Sequence, residues 1–265
     1  MLILLPPSEG KAASGGGPPL DLAALGLAEA NPARKAVLAA LEEVCARPPE
    51  EARAVLGLTP GQATAVERNR RLRTAPALPA AELYTGVLYD ALRLPELLAG
   101  GSAALTAESV LVFSGLWGVL EPTDAVPPYR LSMGVKLPPL GALGAFWRAR
   151  LTDALTKRAA GRLVVDCRSA AYAAAFRPDA ATAARTATVR VLSETVVDGV
   201  VRRSVVSHMA KATRGAIAHS LLAAGLSPAT PGELAEALTG LGRTVELTPP
   251  TRGGRPYTLD VVVPG

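Results

Sequence analysis

Residues 1–5 form an unbroken apolar run that stops at Pro6-Pro7. That is the pattern of a strand buried on both faces and opening into a loop. The loop carries Ser8-Glu9-Gly10-Lys11 and, further on, three consecutive glycines, Gly15–Gly17. Helical signals follow. Asn31-Pro32 reads as an N-cap with proline at the first helical position, opening a helix to about Cys45. Pro48-Pro49-Glu50-Glu51 opens a second, Thr59-Pro60 a third to about Arg73, and the span from Pro79 to Leu92 suits a fourth.

The period changes at Ser109. Val110–Phe113 reads as a strand, and the stretch from Ser114 to Pro139 is punctuated by Gly and Pro with no helical spacing. Phe146, Trp147, Leu151 and Leu155 restore a helical stripe over 141–160. Leu163–Val165 is a short strand. Thr188–Glu194 and Val200–Val206 alternate on either side of Asp198-Gly199, a dipeptide that favours tight hairpins. Helices over Ala210–Ala224 and Pro231–Leu238 and strands over Thr244–Leu247 and Tyr257–Val263 complete the chain. This order predicts a mixed α/β (α+β) fold in one compact domain, residues 1–265. Its sheet is mixed and partly antiparallel, and a helical subregion at about 20–98 is inserted after the first strand.

Composition narrows the chemistry. Two cysteines, Cys45 and Cys167, and two histidines, His208 and His219, exclude a disulfide framework and a Cys- or His-rich zinc site. We therefore expect neither metal nor cofactor, and buried thiols. No apolar run is long enough to span a bilayer and no basic n-region precedes the first strand, so a cytoplasmic protein is expected. The net charge of +5 permits a polyanionic partner.

Polar groups cluster where strands end. Ser8, Glu9 and Lys11 follow the first strand, but Leu5 and Ala12 stand where a P-loop needs glycine and Ser/Thr. Ser114-Gly115-Leu116-Trp117-Gly118-Val119-Leu120 continues through Asp124 to Tyr129-Arg130. There Arg130 can fork onto a phosphate or carboxylate, with Asp124 to orient it. Ser169 and Tyr172, three apart, can present both hydroxyls on one side of a helical turn. Lys211 and Arg214 form a cationic face in the first turns of a helix. Arg68, Arg70, Arg71 and Arg73 form the tightest basic run. They follow Gly57-Leu58-Thr59-Pro60-Gly61, a turn between helices that suits a helix-hairpin-helix but lacks its usual second glycine. Each segment also has a plain structural reading, as a solvated loop, a packed tyrosine or a charged helix face.

Together these segments resemble the YaaA family of peroxide stress proteins. The matching stretches are Leu4 to Lys11, Leu83-Tyr84-Thr85-Gly86, Phe113 to Gly134, Ser169 with Tyr172, and Ala210-Lys211 with Arg214-Gly215. Ala171 and Asp166-Cys167-Arg168 depart from the family pattern. The resemblance implies a basic cleft, a helix-hairpin-helix-like element, non-specific binding of double-stranded DNA, and protection against iron-dependent oxidative damage. The DNA-contacting positions would be Gly57, Gly61, Arg68, Arg70, Arg71 and Arg73. Ser8, Lys11, Tyr84, Ser114, Arg130, Ser169, Tyr172, Lys211 and Arg214 would hold a ligand phosphate. The alternative is an enzyme or small-ligand binder for an anionic, nucleotide-like molecule, with Glu9, Lys11, Asp124 and Tyr129 as catalytic candidates. Oligomeric state is not legible in the sequence.

Overall fold

A computed structural model of the chain describes residues 1–197, 200–205 and 207–264. The N-terminal apolar run is β1 (Leu2–Leu5), completely buried. It lies between two parallel neighbours, β2 (Val110–Ser114) and β4 (Val164–Asp166). Strand β3 (Gly118–Leu120) folds back antiparallel on β2. On the other flank β4 pairs parallel with β5 (Thr186–Val197). Strand β6 (Val200–Val205) pairs antiparallel with β5, Val200 facing Val197, while Asp198-Gly199 lies outside the described residues. Strands β7 (Thr244–Thr248) and β8 (Tyr257–Pro264) are antiparallel to each other, and β8 runs parallel to β5. The eight-stranded sheet has the order β7-β8-β5-β4-β1-β2-β3, with β6 attached to β5. It is a mixed α/β fold, mostly parallel at its centre.

The helical subregion contains α1 (Asn31–Ala46), α2 (Pro49–Leu56), α3 (Thr64–Arg70) and α4 (Val87–Leu92). Val37, Leu38, Leu41, Val44 and Cys45 are buried along one face of α1, as the helical period requires. Later come α5 (Leu143–Ala159), α6 (Ser207–Ala223) and α7 (Pro231–Gly240). A single buried apolar cluster runs from α1 through the sheet to α7. No helix among the described residues is long and apolar enough to cross a membrane.

Several boundaries differ from the sequence reading. The span 79–92 is two helices, Ala80–Leu83 and α4, because Gly86 between them takes φ 96°, outside the helical region. The third helix begins with a 3₁₀ turn at Pro60–Gln62 and ends at Arg70. Asn31 is not a side-chain cap: its amide donates to the Leu22 carbonyl and accepts from Arg34. Two helices, Leu94–Ala99 and Ala103–Ser109, were not anticipated, and the supposedly irregular 114–139 stretch contains β3 and further two-residue strands.

What orders that stretch is Arg34, a fully buried arginine on α1. Its guanidinium donates to the carbonyls of Trp117 (3.1 Å), Val119 (2.8 Å) and Gly26 (2.8 Å), and to Asn31 Oδ1 (2.8 Å). The arginine is thus a bracket joining α1 to β3, its charge spread over carbonyl dipoles. Burial lowers its pKa from the ordinary arginine value, and the Asp124 charge opposes that shift.

Candidate functional site

Three parallel neighbours, β2, β1 and β4, all end at the same edge of the sheet. In such sheets ligands bind beyond the carboxyl ends of the strands. The Ser8–Lys11 loop leaves β1, Ser114 ends β2, and the Ser169–Tyr172 turn follows β4. Two helices close the edge from above. Gly215 on α6 makes their packing possible, since a Cβ there would stand 2.1 Å from the Leu88 carbonyl oxygen of α4. This contact sets Lys211 and Arg214 over the strand ends. The result is a cleft of about 440 Å³ lined by Ser8, Glu9, Gly86, Tyr89, Ser169, Tyr172, Lys211 and Arg214.

Arg130 joins this cleft through Glu9, its Nη1 lying 2.6 Å from Glu9 Oε2. Its backbone is clamped by Asn69, whose side-chain amide donates to the Arg130 carbonyl (2.8 Å) and accepts from its N–H (2.9 Å). The expectation that Asp124 orients Arg130 is corrected. Asp124 instead accepts from the backbone amides of Gly26 (2.7 Å) and Glu121 (2.8 Å), stapling a turn. Burial raises its pKa, with those two amides opposing. Asp124 is therefore part of the frame, away from the cleft.

Lys11 is half-buried and its ammonium donates to the Ser8 carbonyl at 2.8 Å. It lies over the ring of Tyr129 (4.5 Å to the centroid) and that of Tyr84 (5.4 Å). Burial lowers its pKa to about 8, against the pull of Glu9. Beneath it runs a buried hydroxyl chain. Ser114 Oγ accepts from the amides of Trp117 (2.9 Å) and Leu116 (3.2 Å), so its own hydrogen goes to Tyr129 Oη at 2.7 Å. Tyr129 then donates to Tyr84 Oη at 2.9 Å. Desolvation pushes both phenols well above their ordinary pKa. Tyr84, Tyr129 and Ser114 are essentially inaccessible and are not among the residues that line the cleft; the two tyrosine rings lie beneath Lys11. Burial also pushes the Tyr172 hydroxyl up to about 12, leaving it a neutral donor.

The arginine run occupies a different groove, of about 490 Å³, lined by Ser14, Thr64, Glu67, Arg68, Arg71 and Pro128 among others. Most of its charge is internally compensated. Arg70 and Arg71 share Glu67, and Arg73 makes a two-pronged pair with Glu42. Arg68 is exposed and has no ion-pair partner among the described residues. Gly57 ends α2 in the left-handed region, as a C-cap glycine does. In the turn that follows, the Thr59 amide is taken by Gln62 Oε1 and the Gln62 amide by the Thr59 carbonyl. Gly61 is exposed.

The departures around β4 are self-contained. Arg168 binds Asp166 through two bonds (2.9 and 2.7 Å) and lies 4.4 Å over the Phe113 ring. Cys167 is buried and its thiol pushed up to about 12 by desolvation, and Cys45 is buried as well. The sequence reading missed Asn69 and Arg34. Both look like ordinary polar helix residues, and only their burial reveals their roles. Among the described residues no three His, Cys, Asp or Glu side chains gather as metal ligands.

The sequence profile of a family described as peroxide stress protein YaaA matches residues 1–240. A UPF0246 protein of Streptomyces coelicolor is 56% identical over 263 residues, covering 99% of this chain and 98% of its own length. A UPF0246 protein of Corynebacterium efficiens is 39% identical over 269 residues, 99% of this chain and 100% of its own. One from Corynebacterium glutamicum is 40% identical over 228 residues, covering 83% and 84%. With matches of this extent, the chain belongs to the peroxide stress protein YaaA family.

Proposed function

We propose that the protein serves in peroxide stress by holding a phosphate-bearing nucleotide unit in the cleft at the strand ends. The observation that carries this is convergence. Lys211 and Arg214 from α6 line one cavity that also offers the hydroxyls of Ser8, Ser169 and Tyr172, and Arg130, from a separate segment, is tied to its lining residue Glu9. Its volume of about 440 Å³ falls within the usual range of small-ligand sites, about 300–1,000 Å³. Calorimetric titration with a 5′-mononucleotide tests the reading. Binding should weaken at least tenfold in a Lys211→Ala/Arg214→Ala double variant, the loss of two charge-assisted contacts. A wild-type protein that binds no mononucleotide at millimolar concentration would overturn it.

A second reading, non-specific binding of duplex DNA that shields it from iron-dependent damage, is favoured by Arg68. That exposed guanidinium sits in the groove next to Pro128 and close enough to Lys11 to depress its pKa. Contacts by Arg68, Arg130, Lys211 and Arg214 would give a slope of log K against log[salt] of roughly −3 to −4. Fluorescence anisotropy with a labelled duplex should show that slope, reduced by about 1 in Arg68→Ala. Absence of duplex binding at low salt would remove this reading and leave the first intact.

A further inference from the structure

The charges at the strand-end cleft do not cancel. Glu9 is the one acid in its lining, and Glu9 is matched by Arg130. Arg168, just before Ser169 in the chain, is matched by Asp166 in the same way. Lys211 and Arg214 line the cleft with no ion-pair partner among the described residues. Three cations thus stand against one acid, an excess of two positive charges whether the Glu9–Arg130 pair stays closed or opens onto a ligand. Arg214 is also held in place with a donor to spare. Its Nη2 donates to the Val189 carbonyl of β5 at 3.2 Å, while its buried Nε has no hydrogen-bond partner among the described residues. A buried N–H without an acceptor is costly, and an anionic oxygen in the cleft that Arg214 lines would supply one. Ser8 Oγ accepts from the Gly10 amide at 3.2 Å, which leaves its own hydrogen to donate. Pro6, Pro7, Val87, Leu88 and Tyr89 complete the lining without charge, the Tyr89 hydroxyl being spent on the Pro6 carbonyl.

We infer that the cleft selects a nucleoside phosphomonoester, with its doubly charged terminal phosphate, over the singly charged phosphodiester of an internal backbone position. The inference rests on the phosphate-site reading of the same cleft. A monoester carries a charge of about −1.5 to −2 at neutral pH, its second pKa being about 6. A diester keeps a single negative charge at every pH above the acid range. Only the monoester balances the excess of two. It also brings three unesterified oxygens, where a diester has two, to the Lys211 ammonium, the Arg214 guanidinium and the Ser8 hydroxyl. The uncharged lining gives contact surface to the sugar and base. Two sources share this chemistry, a free mononucleotide and the phosphorylated end of a DNA strand.

Calorimetric titration of the full-length protein at pH 7.5 compares deoxyadenosine 5′-monophosphate with its methyl phosphate ester, which differs in one charge and one methyl group. The monoester should bind at least about tenfold more tightly. Lys211→Gln, a change at an exposed position that the thermal melt can verify as folded, should bring that ratio towards one by weakening the monoester more than the ester. Equal affinities in the wild type would refute the selectivity and leave the phosphate site standing, whereas binding of neither ligand would remove the phosphate site itself. An undiminished ratio in folded Lys211→Gln would also overturn the inference. Competition against bound monophosphate by a short single-stranded oligodeoxynucleotide, with and without a 5′-phosphate, identifies the source. Displacement by the phosphorylated strand alone assigns the strand end, and displacement by neither assigns the free mononucleotide. Equal displacement by both strands would mean that internal phosphodiesters suffice, contrary to the inference.

Discussion

Replacing Arg34 by methionine removes the bracket that holds the 114–139 stretch to α1 while nearly preserving side-chain length. Four hydrogen bonds are lost, and the carbonyls of Trp117, Val119 and Gly26 are left facing an apolar chain. Leaving a buried polar group unpaired costs about 1–3 kcal/mol, and breaking a buried charged network typically about 3–5 kcal/mol. The partners are carbonyls that relax or admit water, so the expected loss is about 3–5 kcal/mol, not three separate penalties added. Against a total stability of about 5–15 kcal/mol this is severe. Urea unfolding followed by tryptophan fluorescence reads it, because Trp117 and Trp147 are both fully buried beside the bracket. With a urea m-value of about 2–3 kcal/mol per M, the midpoint should fall by roughly 1–2 M. Lys at the same position should recover only part of the loss, since one ammonium cannot reach three carbonyls in one plane. A loss below about 1 kcal/mol for Arg34→Met would refute the bracket.

Three further outcomes are expected. Gly215→Ala should destabilise by about 1–3 kcal/mol in thermal or urea melts, although alanine is the better helix former, because its Cβ would meet the Leu88 carbonyl; a gain in stability would show that α4 and α6 are not in close contact. Glu9→Gln should tighten mononucleotide binding several-fold by releasing Arg130 from its intramolecular partner, and weaker binding in that variant would mean that Glu9 contacts the ligand. For Lys11 the sign follows from its lowered pKa: between about 8 and the unfolded value of 10.5 the unfolded chain binds more protons, so stability rises with pH, and below about 8 the effect is flat. Urea midpoints between pH 7 and 9.5, short of the range where unfolded tyrosines ionise, should therefore rise in the wild type relative to Lys11→Met; parallel profiles would show a solvated amine.

Much of this was legible in the sequence because burial and period speak through it. The all-apolar first strand, the stripe of Phe146, Trp147, Leu151 and Leu155, and the alternating strands around 198–199 each report how many of their faces are covered. The strand-end polar groups could be listed for the same reason. What escaped was any role decided by the third dimension. Arg34 and Asn69 occupy helix positions where sequence expects solvent, and they are buried only because a loop far along the chain lies over them. Asp124 is six residues from Arg130 and was the natural partner by proximity, yet Gly26 and Glu121 amides claim it, and Glu9, 121 residues away, takes its place. Tyr84 and Tyr129 have the chemistry of ligand contacts, but the antiparallel bridge between Lys11 and Tyr84 places them under the lysine instead. In the arginine run, charge was visible and its neutralisation by Glu67 and Glu42 was not.

The most direct test of the phosphate-binding cleft is a crystal structure of the protein soaked with a 5′-mononucleotide. The account predicts density for the phosphate within hydrogen-bond reach of Lys211 or Arg214 and of the Arg130 guanidinium, with Glu9 displaced from it. A nucleotide seated only in the Arg68–Arg71 groove, with the strand-end cleft empty, would contradict it.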